Sequence, residues 1–252
     1  MTARGVVGLV LVLAGAGLCA RLGLWQIDRW HEKRRLNAGL QASLSAPVLD
    51  LTGESAALEA PRGRRVRVSG RFDEGRQVLL SNRSHEGSPG VEVVTPLVVE
   101  GGRAAVLVNR GWLYASDAAT ARPEDCPEPG PRQVVGIAVE LQRGAGGAAL
   151  QPVAGSSGTV WSARWLDLDT LSSRLPYALV PWALRELPGP GVPDRPLRLA
   201  PRPLDEWTHV SYAAQWFLFG SILLGGSAAL AWSRRRRAAR EDVADPDLHR
   251  RG

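Results

Sequence analysis

Two apolar stretches, one near each end of the chain, constrain everything that lies between them. Val210–Trp232 (VSYAAQWFLFGSILLGGSAALAW) contains no charged residue. As a helix rising about 1.5 Å per residue it spans roughly 34 Å, enough for a hydrocarbon core of about 30 Å with some tilt. Residues 5–25 (GVVGLVLVLAGAGLCARLGLW) are interrupted only by Arg21, which lies near the end of the run and can snorkel to the interface. The rival for this first run is a secretory signal with Ala14-Gly15-Ala16 as its cleavage triplet.

Arg234–Arg237 directly follow the second run and hold that end in the cytoplasm by the positive-inside rule. With a retained first span the N-terminus is then also inside and the middle of the chain outside. Arg29, Lys33, Arg34 and Arg35 pull the other way, but the tetra-arginine stop dominates. The expected organisation is a cytoplasmic residue set 1–4, transmembrane helix 5–25, juxtamembrane helix 26–45, linker 46–63, extracytoplasmic β domain 64–207, transmembrane helix 208–232 and basic cytoplasmic tail 233–252.

Between the runs the hydrophobic period changes to two. RRVRVSGRF (64–72), RQVLLS (76–81), VEVVTPLVVE (91–100), AAVLVNRGW (104–112) and RQVVGIAVEL (132–141) are β-rich and separated by Gly, Pro, Asn and Asp. Glu100-Gly101-Gly102 makes 91–99 and 104–111 an antiparallel hairpin. Thr95-Pro96 reads as a strand break, and Asn109-Arg110-Gly111 as a strand end. LDTLSSRL (168–175) reads as a short helix with Asp167 and Asp169 at its start, where carboxylates suit the helix dipole. ALVPWALREL and RPLRLA add strands. Nothing alternates as βαβ, so a parallel sheet is not expected. The fold class is therefore two transmembrane helices flanking an extracytoplasmic, mainly antiparallel β domain, barrel- or sandwich-like, with a short helix.

Composition excludes some functions. The net charge of +6 is arginine, since Lys33 is the sole lysine, but outside 233–237 the arginines are scattered and no helix or ribbon carries a cationic stripe for nucleic acid. Cys19 and Cys126 make no framework, and CxxC and HxxxH spacings are absent. His31 and His249 sit in charged or polar stretches. RGAGGAALQPVAGSSG (143–158) lacks GxxxxGK[ST] and reads as a flexible loop. With no GxSxG, HExxH or recognisable carboxylate pair, the chain is not expected to be an enzyme.

Three blocks, taken together and in order, resemble the Surfeit locus protein 1 family of cytochrome c oxidase assembly factors. They are LGLWQIDRWHEKRRL at the outer end of span one, SNRSHEGSPGVEVVTPLVVEGGRAAVLVNRGWLYAS in the middle, and HVSYAAQW at the start of span two. The resemblance covers about residues 5 to 235 and implies assembly of a haem–copper oxidase, with help in placing haem a in subunit I. It implies as partners oxidase subunit I and the haem a synthesis machinery. It implies His209 as the haem ligand, with Tyr212 and Trp216 in the same block. Where family members often carry Asn just before the histidine, this chain has Trp207 and Thr208. The absence of a transit peptide ahead of the first span points to a bacterial plasma membrane.

The residues themselves allow that chemistry. Residues 209, 212 and 216 return to one helical stripe, an imidazole is a good axial ligand to haem iron, and an arginine such as Arg29 can meet a propionate. The bland alternative is an interfacial aromatic belt. Trp25 and Arg29 are i,i+4 neighbours and are expected to form the wall opposite His209. In the middle domain Arg83, Gly90 and Arg110 are partner-contact candidates, Arg83 and Arg110 also propionate contacts, and Gly90 is read as needing a glycine-only φ. His85 beside them is a lone loop histidine. Small residues at Ser221, Gly225, Ala16 and Ala20 permit close packing of the two spans, or a homodimer.

Overall fold

A computed structural model describes residues 3–51, 63–101, 104–144, 150–153 and 159–244. Most of the expected linker, much of the 143–158 loop and the end of the basic tail lie outside the described residues. The chain divides into two compact units, one holding residues 1–38 and 203–252, the other Gly39–Arg202.

In the first unit, α1 (Ala3–Ser45, whose last turns belong to the second unit) and α3 (Trp207–Ala244) are both long and apolar enough to cross a membrane. Their packing is antiparallel, since successive contacts run down one helix and up the other. A Cβ on Gly15 would press on Leu223, Cys19 lies against Gly220, and a Cβ on Gly23 would meet the Phe217 ring at 2.8 Å. Of the small residues expected at the contact, Ala16 is there, its carbonyl 3.8 Å from a Cβ at Gly220, whereas two on α3 are not. Ser221 bonds back to the Phe217 carbonyl, and nothing stands within 4 Å of a Cβ at Gly225.

The second unit is a closed barrel with an extension. Its strands are β1 (Leu49–Leu51), β2 (Arg65–Phe72), β3 (Arg76–His85), β4 (Ser88–Val99), β5 (Ala104–Tyr114), β6 (Pro131–Glu140), β7 (Gln151–Pro152), β8 (Thr159–Ala163) and β9 (Ala178–Glu186). The ring runs β2–β6–β9–β5–β4 and closes through a second pairing of β4 with β2. β3, β8 and β7 continue the sheet outward from β4, and β1 lies beside β2 inside the stretch expected to be linker. The consecutive pairs β3–β4, β4–β5 and β7–β8 are antiparallel, whereas β1–β2, β3–β8 and β5–β9 are parallel. The sheet is therefore mixed, because strands not joined by a tight turn can pair in either direction without leaving a local signature.

The alternation in β2 buries Val66, Val68 and Phe72, which join Leu97, Val106, Val108, Val134, Trp182 and Leu184 inside the barrel. A second apolar cluster packs Val78, Leu107 and Trp161 against Leu168 and Leu171 of α2 (Leu168–Ser172). Asp167 caps that helix, its carboxylate accepting from the Thr170 amide at 2.9 Å.

Pro96 does not break β4. Residues up to Val94 pair with β3 and residues from Leu97 pair with β2, so Pro96 sits where the strand changes partner. Its carbonyl accepts from the Asp73 amide on that same side, so the missing N–H removes no bond to β5. Nor does Asn109-Arg110-Gly111 end β5. Val94 pairs with Asn109 and Val93 with Gly111, leaving Arg110 as the extra residue of a bulge that turns its side chain inward.

RPLRLA forms no strand; it is a strap tied to Trp112 by two backbone hydrogen bonds, Trp112 N to Leu197 O at 2.8 Å and Leu197 N to Trp112 O at 2.9 Å. Gly111, at φ 120°, makes that approach feasible, because a Cβ there would overlap the Leu197 carbonyl. Gly111→Ala is expected to cost about 3 kcal/mol or more, as backbone strain and overlap add. The loss would be seen as a lower thermal midpoint in the β-sheet circular dichroism.

Candidate functional site

His209 lies in the first turn of α3, half-buried, with its Nδ1 2.6 Å from Oε1 of Gln26 on α1. Gln26 is 9% exposed, one of the few buried polar side chains among the described residues. One turn earlier Gly23 admits the Phe217 ring, which brings the helices close enough for that contact. Further out, Asn37 closes the pair. Its amide donates to the Leu204 carbonyl at 2.9 Å and to Glu206 Oε1 at 2.6 Å, while its oxygen accepts from the Leu204 amide at 2.8 Å. Lys33 Nζ reaches the Asp205 carbonyl at 3.0 Å. Asp205 caps α3 through the Trp207 amide and the Thr208 hydroxyl, and these bonds, the Thr208 one first, hold its carboxyl below the usual range.

The seam made by Gln26 and His209 has two unlike flanks. About 100° per residue along each helix puts Trp25 and Arg29 of α1 on the same flank as Tyr212 of α3. Arg29 lies 5.8 Å from the Trp25 ring centroid and also pairs with Glu32 at 2.6 Å. Tyr212 is half exposed, and Trp216, nearer the seam, packs edge-on to Phe219 at 6.1 Å. The opposite flank is an apolar groove of about 470 Å³ lined by Ile27, Trp30, Trp207, Val210 and Ala213, with Glu206 at its polar end. The expected site residues of this unit therefore share one flank. The residue that touches His209 is Gln26, which sequence reasoning grouped with the block but gave no role. A lone amide two residues before the polar part of the helix, three residues after a glycine, was the available signal.

In the β domain the candidates separate. Arg83 is a surface residue, its Nε 3.3 Å from Glu92 and its Nη2 donating to the Arg164 carbonyl at 3.0 Å. Gly90 does not adopt the positive φ expected of it. Glycine is needed there because a Cβ would overlap the Leu113 carbonyl and the Trp112 indole. Arg110 is fully buried, with Nη2 2.9 Å from Glu128 and its guanidinium 5.3 Å from the Phe72 ring centroid. For it to touch a partner directly, this interior would have to open.

Arg110 belongs to a buried ionic cluster absent from the sequence reading. Glu128 also meets Arg198 and, at 2.9 Å, Arg132, and Arg198 reaches Glu186 at 2.8 Å. Burial pushes the Glu186 carboxyl up, and Arg198 only partly offsets it while the neighbouring Glu128 charge adds to the rise. Burial also acts on Glu128, but Arg110 and Arg198 together outweigh it and hold that carboxyl down. Beside the cluster a cavity of about 570 Å³ is lined by His85, Glu92, Asn109, Arg185 and Arg202. His85 packs 5.5 Å from Trp112. Among the described residues no group of three His, Cys, Asp or Glu side chains is placed to hold a metal ion.

A closed β barrel flanked in the chain by two helices long and apolar enough to cross a membrane, with a histidine at the head of the second, defines the class: a β-barrel protein with two candidate membrane spans. Residues 13–221 match the model of the SURF1 family. The chain belongs to that family, which is one of oxidase assembly factors. It is 27% identical to a SURF1-like protein of Monosiga brevicollis over 240 residues, covering 91% of this chain and 88% of the relative. It is 28% identical to an uncharacterized SURF1-like protein of Mycobacterium tuberculosis over 249 residues, covering 94% and 87%. A shorter match, 29% over 107 residues, covers 36% of this chain and 45% of the Surfeit locus protein 1 of Takifugu rubripes.

Proposed function

We propose that this protein assists haem a binding and insertion into subunit I of a haem–copper cytochrome c oxidase, acting as a holder and not as a catalyst. The observation that carries the reading is the engaged imidazole of His209, held by Gln26 at the end of a closely packed helix pair. The donor set suits haem. His209 would ligate the iron, Tyr212 and Trp216 would pack on the macrocycle, and Trp25 with Arg29 would supply an aromatic face and a cation for a propionate. Bound haem would supply a Lewis-acidic iron and two anionic propionates; the chain supplies orientation and shelter from water.

In this reading the protein lies in a bacterial plasma membrane with both termini cytoplasmic, as Arg234–Arg237 favour, and the barrel outside. Subunit I and the haem a synthesis machinery are its partners, with Arg83 near the barrel surface available to them. Expression in a haem a-producing host is expected to yield co-purified haem absorption that His209→Ala abolishes. A deletion strain is expected to lose oxidase activity while other respiration persists. Unchanged haem content in His209→Ala would replace the holder by a scaffold that binds subunits without haem.

A further inference from the structure

We propose that Gln26 is a positioning residue for His209: its amide oxygen fixes the imidazole as the Nδ1–H tautomer and leaves Nε2 as the basic nitrogen. An amide oxygen only accepts, whereas a neutral imidazole carries one donor and one acceptor. With Oε1 of Gln26 facing Nδ1 at 2.6 Å, a neutral ring makes this hydrogen bond only with its proton on Nδ1 and its lone pair on Nε2. Nε2 has no hydrogen-bond partner among the described residues.

The contact is held from both sides. Gln26 is nine-tenths buried in the helix seam, so losing its bond would leave a carbonyl oxygen unsatisfied in a low-dielectric place. The Gly23–Phe217 and Asn37–Leu204 contacts bracket it along α1, one turn before and three turns after. The arrangement matches the logic of metal-bound histidines, where a fixed acceptor at one ring nitrogen orients the other toward the metal and raises its basicity. The tautomer follows from the contact alone; its use in holding iron rests on the function proposed above.

The test uses the full-length protein in detergent, labelled with ¹⁵N-histidine. There are four histidines, so subtracting the His209→Ala spectrum isolates the His209 ring signals. With the ring neutral, the wild type is expected to show a directly protonated Nδ1 and a pyridine-type Nε2. Gln26→Glu, which still accepts, keeps that pattern, and Gln26→Leu moves the proton to Nε2. A protonated Nε2 in the wild type, or an unchanged pattern in Gln26→Leu, overturns the proposal. Titration with hemin supplies the second readout: Gln26→Leu is expected to weaken binding about 10–100-fold, while Gln26→Glu stays within about threefold of the wild type. Unchanged hemin affinity in Gln26→Leu overturns the positioning role. Unchanged affinity in His209→Ala instead overturns haem ligation and leaves the tautomer assignment standing on its spectrum.

Discussion

Arg198→Met is expected to destabilise the β domain by about 3–5 kcal/mol at neutral pH, the range for removing one partner of a buried ion pair. In thermal unfolding that corresponds to a fall of roughly 6–20 °C in midpoint. Among the cluster's arginines, Arg198 is the close partner of both carboxylates. Without it Glu128 keeps Arg110 and Arg132, but Glu186 keeps only Arg132, 3.9 Å away. An almost unpaired carboxylate then remains buried, since Glu186 is 2% exposed.

The deficit should depend on pH, with a definite sign. The folded-state pKa of Glu186 already lies above its ordinary value, so folding binds its proton more tightly than the unfolded chain does. That contribution is fully present below the ordinary glutamate value and is lost as pH rises through the raised one. Removing Arg198 raises the folded value further, so the variant recovers towards the wild type on acidification. Glu128 has the opposite sign: its carboxyl is held down, and its contribution disappears as pH falls through that lowered value. Arg198 also donates to the carbonyls of Pro193 at 3.1 Å and Pro196 at 2.9 Å, which fastens the strap. The double variant Arg198→Met/Glu186→Leu separates these roles. Recovery of most of the loss assigns the cost to the stranded carboxylate, and no recovery assigns it to the strap.

What could be read in advance follows from the range over which each signal acts. The period-two runs locate five strands because alternate burial is a local demand, met residue by residue in Val66, Val68 and Phe72. The β4–β5 hairpin and the capped α2 are local too, set by Glu100-Gly101 and Asp167. Ring closure through β2–β4 and the parallel pairs join distant segments, and no short window reports them. Arg110 misleads for a related reason. An arginine beside Asn and Gly reads as a turn, and only the bulge register, with Glu128 waiting inside, turns it inward. Gly90 was legible as a required glycine but not for its cause, which is the Trp112 indole across the ladder. At the helix pair, the aromatic and cationic residues stood out by type, whereas Gln26 gains its role only from a partner 183 positions away.

Gly220→Cys, in a Cys126→Ser background, is expected to form a disulfide with the native Cys19 in nearly every molecule on mild oxidation, and adding Gly23→Leu is expected to abolish it. A Cβ at position 220 would stand 3.3 Å from Cys19 Cβ, close to the 3.5–4.5 Å range found in disulfides and within reach of a small helix adjustment (about 0.5 Å). Cys126 is the other cysteine and is buried in the β domain, so its removal leaves one thiol pair able to react. Protease cleavage between the helices followed by non-reducing electrophoresis reads the crosslink directly. Gly23 is the sensitive position because the Phe217 ring already occupies the space where its side chain would go. Alanine there can be met by a shift of the ring, whereas leucine must push the helices apart, since close approach of packed spans depends on small residues at the contact. Separation at Gly23 would also pull Gln26, one turn further along, from His209. Gly23→Leu should therefore lose both the crosslink and the Nδ1–H signature of His209, while Gly17→Leu, with nothing within 4 Å of its Cβ, should lose neither. A crosslink that survives Gly23→Leu would mean that the seam is set elsewhere along the helices, and the glycine would have no part in presenting the histidine.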